Sequence, residues 1–253
     1  MTIFHYDKTF EGLLTAVFDA YNRKTFPERL LAIDEPEPLF VDEQFTVVSD
    51  EEKSKRVWKG LEKKLAHNTC NMITYAWLSE LQGSDELIFR YIRKTFDNKQ
   101  SIETNFADDD VLQLKKLAQK VNHESHRLIE LVRFQKAADD IFFAPVSPDH
   151  NSLPLTLDHF TDRFADQKWV IYDTRRNYGF YYDLKTVTEM TLDSTDLFPK
   201  GKLDENLMAE DEKLYQELWK GYFKAMTIKE RINLKLQRQH LPKRYWKYLT
   251  EKQ

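Results

Sequence analysis

The stretch "KWVIYDTRRNYGFYYD", residues 168–183, joins two short runs of aromatic and β-branched residues through a polar turn. Such runs read as strands, and "TRRNYG" as the hairpin connection between them, with Gly179 free to take positive φ. "KWVIYD" is apolar on both faces, the pattern of a strand buried on both sides. "IFFAPV" (141–146) before it and "TVTEM" (186–190) after it extend the pattern, so the second half carries a small sheet, expected to be antiparallel.

Away from this hairpin, the first half has a different period. Phe10, Leu13, Leu14, Val17, Phe18 and Tyr21 define an amphipathic helix that Asp7 or Thr9 can cap. "IFHYD" (3–7) reads as a short strand, and a second, "QFTVVS" (44–49), lies in a connection over 33–52 that holds eight acids and no base. Helices are predicted over about 50–66, 69–82 and 84–96. "NFADDD" (105–110) then supplies N-cap carboxylates for a long helix over 109–132, whose buried stripe is Leu114, Leu117, Val121 and Leu128. After the sheet come helices around 205–225 and 228–239, then "LPKRYWKYL" (241–249).

Helices first and a sheet later is an α+β pattern. With no glycine- or serine-rich linker, residues 1–253 read as a single α+β unit, and a division into 1–132 and 133–253 is the alternative.

Bulk properties narrow the setting. Hydrophobic content of 41% is that of a folded globular chain. Cys70 is the only cysteine, so no internal disulfide is available, which suits the reducing cytoplasm. No run reaches the roughly 18 apolar residues needed to span a membrane, and residues 1–8 lack the pattern of a secretory signal, so no membrane association is expected. Net charge is −4, yet the residues from Lys220 onward carry +8 and the remainder −12. Such asymmetry points to a polyanion or to an acidic neighbour.

Three constellations could carry chemistry. His123, His126 and Glu130 share one face of the long helix, but "HESH" is not the HExxH spacing. We read that face as solvated, with a local His126–Glu130 pair, and assign no metal. The segment "PDHNSLPLTLDHFTDRF" (148–164) groups Asp149, His150, Asp158, His159 and Arg163, a set able to serve general acid–base catalysis if it folds around a substrate. Equally, "SPDHN" is good turn chemistry and Asp158 a fair helix cap. The third set is basic and aromatic. Arg175, Arg176 and Tyr178 occupy the hairpin tip, while Arg231, Lys235, Arg238, Lys243, Arg244 and Trp246 follow near the C-terminus. Cations for phosphates and flat rings for bases is what nucleic-acid binding needs. The six glycines form no phosphate-cradling loop.

"YDKTFEGLLTAVFDAY" (6–21), "PDHN" (148–151) with "DHFTDRFADQKWVIYDTRRNYGFYYD" (158–183), and "LWKGYFKAMTIKERINLKLQRQHLPKRYWKYL" (218–249) together resemble one bacterial family. Its members are described as DNA metabolism or repair proteins of unknown activity, encoded beside a radical SAM protein and in some cases fused to a uracil-DNA-glycosylase-like domain. The resemblance implies a DNA repair or modification accessory protein, with DNA and a radical SAM protein as partners. It carries over no catalytic residue and no cofactor. The glycosylase-like extension is missing, so base excision is not implied for this chain. So are the three clustered cysteines of a radical SAM enzyme, which leaves any iron–sulfur chemistry to a partner. The alternative is a nucleic-acid-processing enzyme using the His/Asp set at 149–163.

Overall fold

The computed structural model describes residues 1–192 and 203–252. They divide into two compact units, 1–122 and 123–253, with the boundary inside one long helix.

The first unit opens with β1 (Thr2–Tyr6), followed by α1 (Phe10–Arg23), β2 (Arg29–Ala32) and β3 (Glu43–Thr46). These strands form a parallel sheet in the order β2-β1-β3. The Thr9 hydroxyl accepts from the Gly12 N–H (2.9 Å) to cap α1, with the Asp7 carboxylate holding Thr9 in turn. Then come α2 (Glu51–Lys64), α3 (His67–Trp77), α4 (Ser84–Asp97) and α5 (Asp109–Leu131). Asp108 starts α5 by accepting from the amides of Asp110 and Val111 at 2.9 and 3.3 Å. Phe4, Leu13, Val17, Leu61, Ile88 and Ile92 lie at the centre of this unit's core.

The second unit takes the last turns of α5 and then β4 (Gln135–Lys136), β5 (Phe142–Val146), a 3₁₀ turn over 153–156, α6 (Leu157–Arg163), β6 (Trp169–Asp173), β7 (Tyr178–Tyr182) and β8 (Val187–Met190). The sheet order is β4-β5-β6-β7-β8. The hairpin 169–182 forms as the sequence predicts, and β6 is buried along its whole length. The expectation of an antiparallel sheet needs correction. β5 and β6 run parallel, because 147–168 is a crossover carrying α6, and the sheet is therefore mixed. Gly179 also plays a different part from the one expected. Asn177 takes the positive φ (56°), while a Cβ on Gly179 would sit 2.5 Å from the Ile171 carbonyl oxygen. Close approach of the two strands is what requires glycine there.

The chain ends with α7 (Glu212–Met226), a 3₁₀ turn over 229–231, α8 (Leu234–His240) and a 3₁₀ segment over 243–248. α7 starts later than its sequence suggests because the backbone at 207–209 pairs with Lys136, Ala137 and Ala138 beside β4. Asn233 restarts the helical path by accepting from the Leu236 amide at 3.0 Å. No helix among the described residues is long and apolar enough to cross a membrane.

Candidate nucleic-acid interface

Val146 and Asp173 stand opposite each other at the carboxyl ends of the parallel strands β5 and β6, and Thr174 ties them by donating its amide (2.9 Å) and hydroxyl (3.1 Å) to the Val146 carbonyl. Two loops leave this end of the sheet, 147–152 and 174–177. Each carries residues singled out from the sequence.

Asp173 organises the second loop. Its side chain is fully buried, and Oδ1 accepts the amides of Arg175 and Arg176 at 2.9 and 3.3 Å. Oδ2 accepts Arg176 Nη1 at 2.8 Å, with the Arg176 side chain only 12% exposed. The same guanidinium donates to the carbonyls of Pro148 and Asp149, both at 3.1 Å, and so stitches the first loop to the second. Arg175 points outward, 55% exposed; it donates to the Asp149 carbonyl at 3.1 Å and lies 3.7 Å from Asp149 Oδ1.

Glu124, buried on α5, organises the first loop from the other side. It accepts the amides of Asp149 (3.0 Å) and His150 (2.7 Å), the Tyr245 hydroxyl (2.9 Å) and the Arg244 guanidinium. Burial alone would push this carboxyl up, but the two amides, Tyr245 and Arg244 hold it below the usual carboxylate range. Burial likewise pushes the Tyr245 hydroxyl up, with Glu124 adding to the effect. Arg244 loses through burial and gains more from Tyr245, Glu124 and Asp149, so its charge is secure. The other arm of its guanidinium pairs with Asp149 Oδ2. The Tyr178 hydroxyl donates to the Asn151 side-chain oxygen.

Three arginines and three carboxylates are thus gathered at one end of the sheet. The carboxylates of Glu124 and Asp173 are fully engaged as acceptors, which leaves them ill suited to take a substrate proton. Asp149, about half exposed, is the carboxylate that solvent or a ligand can reach.

Of the predicted residues, Asp149, His150, Arg175, Arg176, Tyr178 and Arg244 come together here. Asp158, His159 and Arg163 lie on the exposed side of α6, the His159 ring against Phe160 and the Arg163 guanidinium over Phe164. Arg231, Lys235, Arg238 and Lys243 are exposed along the C-terminal segment. Trp246 is half-buried, its indole N–H given to the Leu241 carbonyl at 3.1 Å. His123, His126 and Glu130 are exposed on α5.

Sequence reasoning missed Glu124 and Asp173. For Glu124 a signal existed. It stands three residues after Val121 and four before Leu128, on the helix's buried stripe, where a carboxylate must find partners.

A family model described as a domain of unknown function, DUF4130, matches residues 82–251, about two thirds of the chain and all of the site. No curated protein matches. Among solved structures, a pGpG-specific phosphodiesterase, PggH, from Vibrio cholerae aligns over 89% of this chain and 99% of its own, at 9% identity and a TM-score of 0.36. That likeness is too loose to bear on fold or function.

Proposed function

This chain belongs to the DUF4130 family, and we propose that its second unit binds the phosphate backbone of nucleic acid, DNA being the form that the sequence resemblance favours. One observation carries the reading. Arg175 from the hairpin and Arg244 from the basic C-terminal run, 69 positions apart, meet on opposite oxygens of the single half-exposed carboxylate of Asp149. A phosphate presents the same pair of anionic oxygens, and arginine forks suit it at least as well. Asp149 then acts as a built-in counter-ion that a backbone phosphate displaces. The exposed Arg231, Lys235, Arg238 and Lys243 extend the contact along the strand. In open α/β sheets ligands bind outside the carboxyl ends of the parallel strands, and these loops leave that end of the parallel pair β5–β6.

The test is anisotropy of a labelled oligonucleotide, single- and double-stranded, at several salt concentrations. Arg175→Ala with Arg244→Ala should weaken binding and lower the log–log salt slope by about one to two, near 0.9 for each phosphate no longer neutralised. Asp149→Asn should tighten binding by removing the competitor. Unchanged affinity in the double variant, or weaker binding in Asp149→Asn, rejects the assignment.

The proposal extends to an accessory role in DNA repair or modification in the cytoplasm, a compartment that suits a chain with the single, buried Cys70. A radical SAM partner, implied by the resemblance, would bring iron–sulfur chemistry. The enzymatic alternative on Asp149, His150, Asp158, His159 and Arg163 draws less support, because Asp149 is already held by two guanidinium groups. Stoichiometric turnover of DNA by purified protein, lost in His150→Ala, would favour it instead.

A further inference from the structure

Nineteen large apolar side chains are exposed among the described residues, and fifteen of them fall in just two segments. One is the connection over 33–48, where Leu39 (95%) and Phe40 (86%) stand almost wholly in solvent. Five acids and no base accompany them there. The other is the C-terminal arm over 214–236, whose eleven apolar side chains are 36–64% exposed. Residues 214–240 carry six Lys or Arg against two Glu. Within the arm, Met226, Ile228, Ile232 and Leu236 line a groove of about 490 Å³ together with Arg231 and His240.

Scattered apolar residues on a surface are ordinary; concentrated ones mark an interface. Here the two concentrations are opposite in charge, and each is exposed in the folded chain. We propose that the chain self-associates, the acidic Leu39–Phe40 loop of one copy docking in the basic apolar groove of a second.

Three features support this occupant over others. The apolar lining of the groove is aliphatic and its one ring is the His240 imidazole, so it offers bases little to stack on and suits apolar side chains better. Groove against groove would bring two positive faces together, whereas loop against groove pairs unlike charges. The loop is also partly pre-ordered. Pro36 and Pro38 limit its backbone, Glu35 accepts the Ala32 amide at 3.0 Å, and the Asp42 carboxylate pairs with the N-terminal ammonium. Ordering it on binding therefore loses little further entropy. A loop-to-groove contact is heterologous. Two reciprocal contacts close a dimer, and unreciprocated ones give open chains that lengthen with concentration.

Sedimentation velocity on the full chain, without nucleic acid, tests the proposal. The wild type should gain mass with concentration at low salt and lose it at high salt. Leu39→Asp with Phe40→Asp should weaken association at least about tenfold, as loss of one buried aromatic anchor implies. Ile232→Asp with Leu236→Asp should do the same. All four positions are exposed, and matching circular dichroism and melting confirm that each variant is folded. Mixing the two variants is the decisive arm. One retains a sound groove and the other a sound loop, so the mixture should form a complex that neither forms alone. A wild type that stays monomeric throughout, as it would if the groove served a foreign protein, overturns the proposal. So does association that survives in the loop variant, or a mixture that stays monomeric. Because no nucleic acid is present, failure here is separate from failure of the phosphate reading.

Discussion

Arg176 and Arg238 bear the same charge in the same unit. Arg176 is nearly buried on a carboxylate with no solvent exposure, while Arg238 stands in water on α8. The contrast extends to the regions around them. At the strand ends, every arginine has a carboxylate within reach and formal charges cancel; along the arm, cations outnumber carboxylates and apolar side chains lie open. Arginines of the first kind build structure, and those of the second kind are available to a partner. Arg175 and Arg244 sit between the two: both reach the half-exposed Asp149, and Arg244 also spans from it to the buried Glu124. That intermediate status is why they, rather than Arg176, carry the functional proposal.

The contrast is tested most severely by treating Arg176 as though it were surface. Arg176→Ala would leave the buried Asp173 carboxylate with two loop amides but no counter-charge and free two loop carbonyls, and removing one partner of a buried pair costs about 3–5 kcal/mol. Urea unfolding should show a loss of that order, against roughly 0.5 kcal/mol or less for Arg238→Ala. Equal, small losses in both would mean that the strand-end network is not structural.

The sequence doublet Arg175–Arg176 gives no hint of this division. Both occupy a polar turn and neither interrupts an apolar pattern, so local sequence assigns them one role. What separates them is Asp173, buried because it ends a strand covered on both faces, and that depends on a parallel neighbour distant in sequence. The same reason explains which parts of the fold were legible. α1, α5 and the hairpin 169–182 follow from local period and turn chemistry, and their bounds fall close to those predicted. Parallel pairing does not, since β1 with β2 and β3, and β5 with β6, join strands through crossovers whose partner no local pattern specifies. The convergence of hairpin and C-terminal arginines on Asp149 is likewise long-range. The residue types were readable from sequence, but Asp149 as the carboxylate on which they meet was not.

Glu124 probes the same contrast through pH. Its carboxyl is held below the ordinary range near 4.5, so it contributes stability that is present above that value and is lost as pH falls through the lower folded value. Glu124→Gln should therefore destabilise by about 1–3 kcal/mol at neutral pH, since an amide cannot accept from the two loop amides, Tyr245 and Arg244 together. Plotted against pH, the gap between wild type and variant should narrow below about 4.5, the ordinary glutamate value. A gap that stays constant into acid would show that the charge of Glu124 is not what holds the loop.

The smallest stability effect belongs to the arm, where the division is approached from its other side. Arg231, Lys235 and Arg238 are exposed, and α8 is capped by Asn233 rather than by any of them. The triple alanine variant should melt within about 0.5 kcal/mol of wild type, as surface substitutions generally do. Its nucleic-acid affinity should still fall, with a salt slope shallower by up to about three, one increment for each phosphate left without its cation. The two readouts must separate. Loss of stability without a change in salt slope would place these cations among the structural arginines, and the division between strand ends and arm would collapse. A shallower slope at unchanged stability fixes the arm as the extended part of the phosphate-binding surface, with Arg175 and Arg244 as its anchored end.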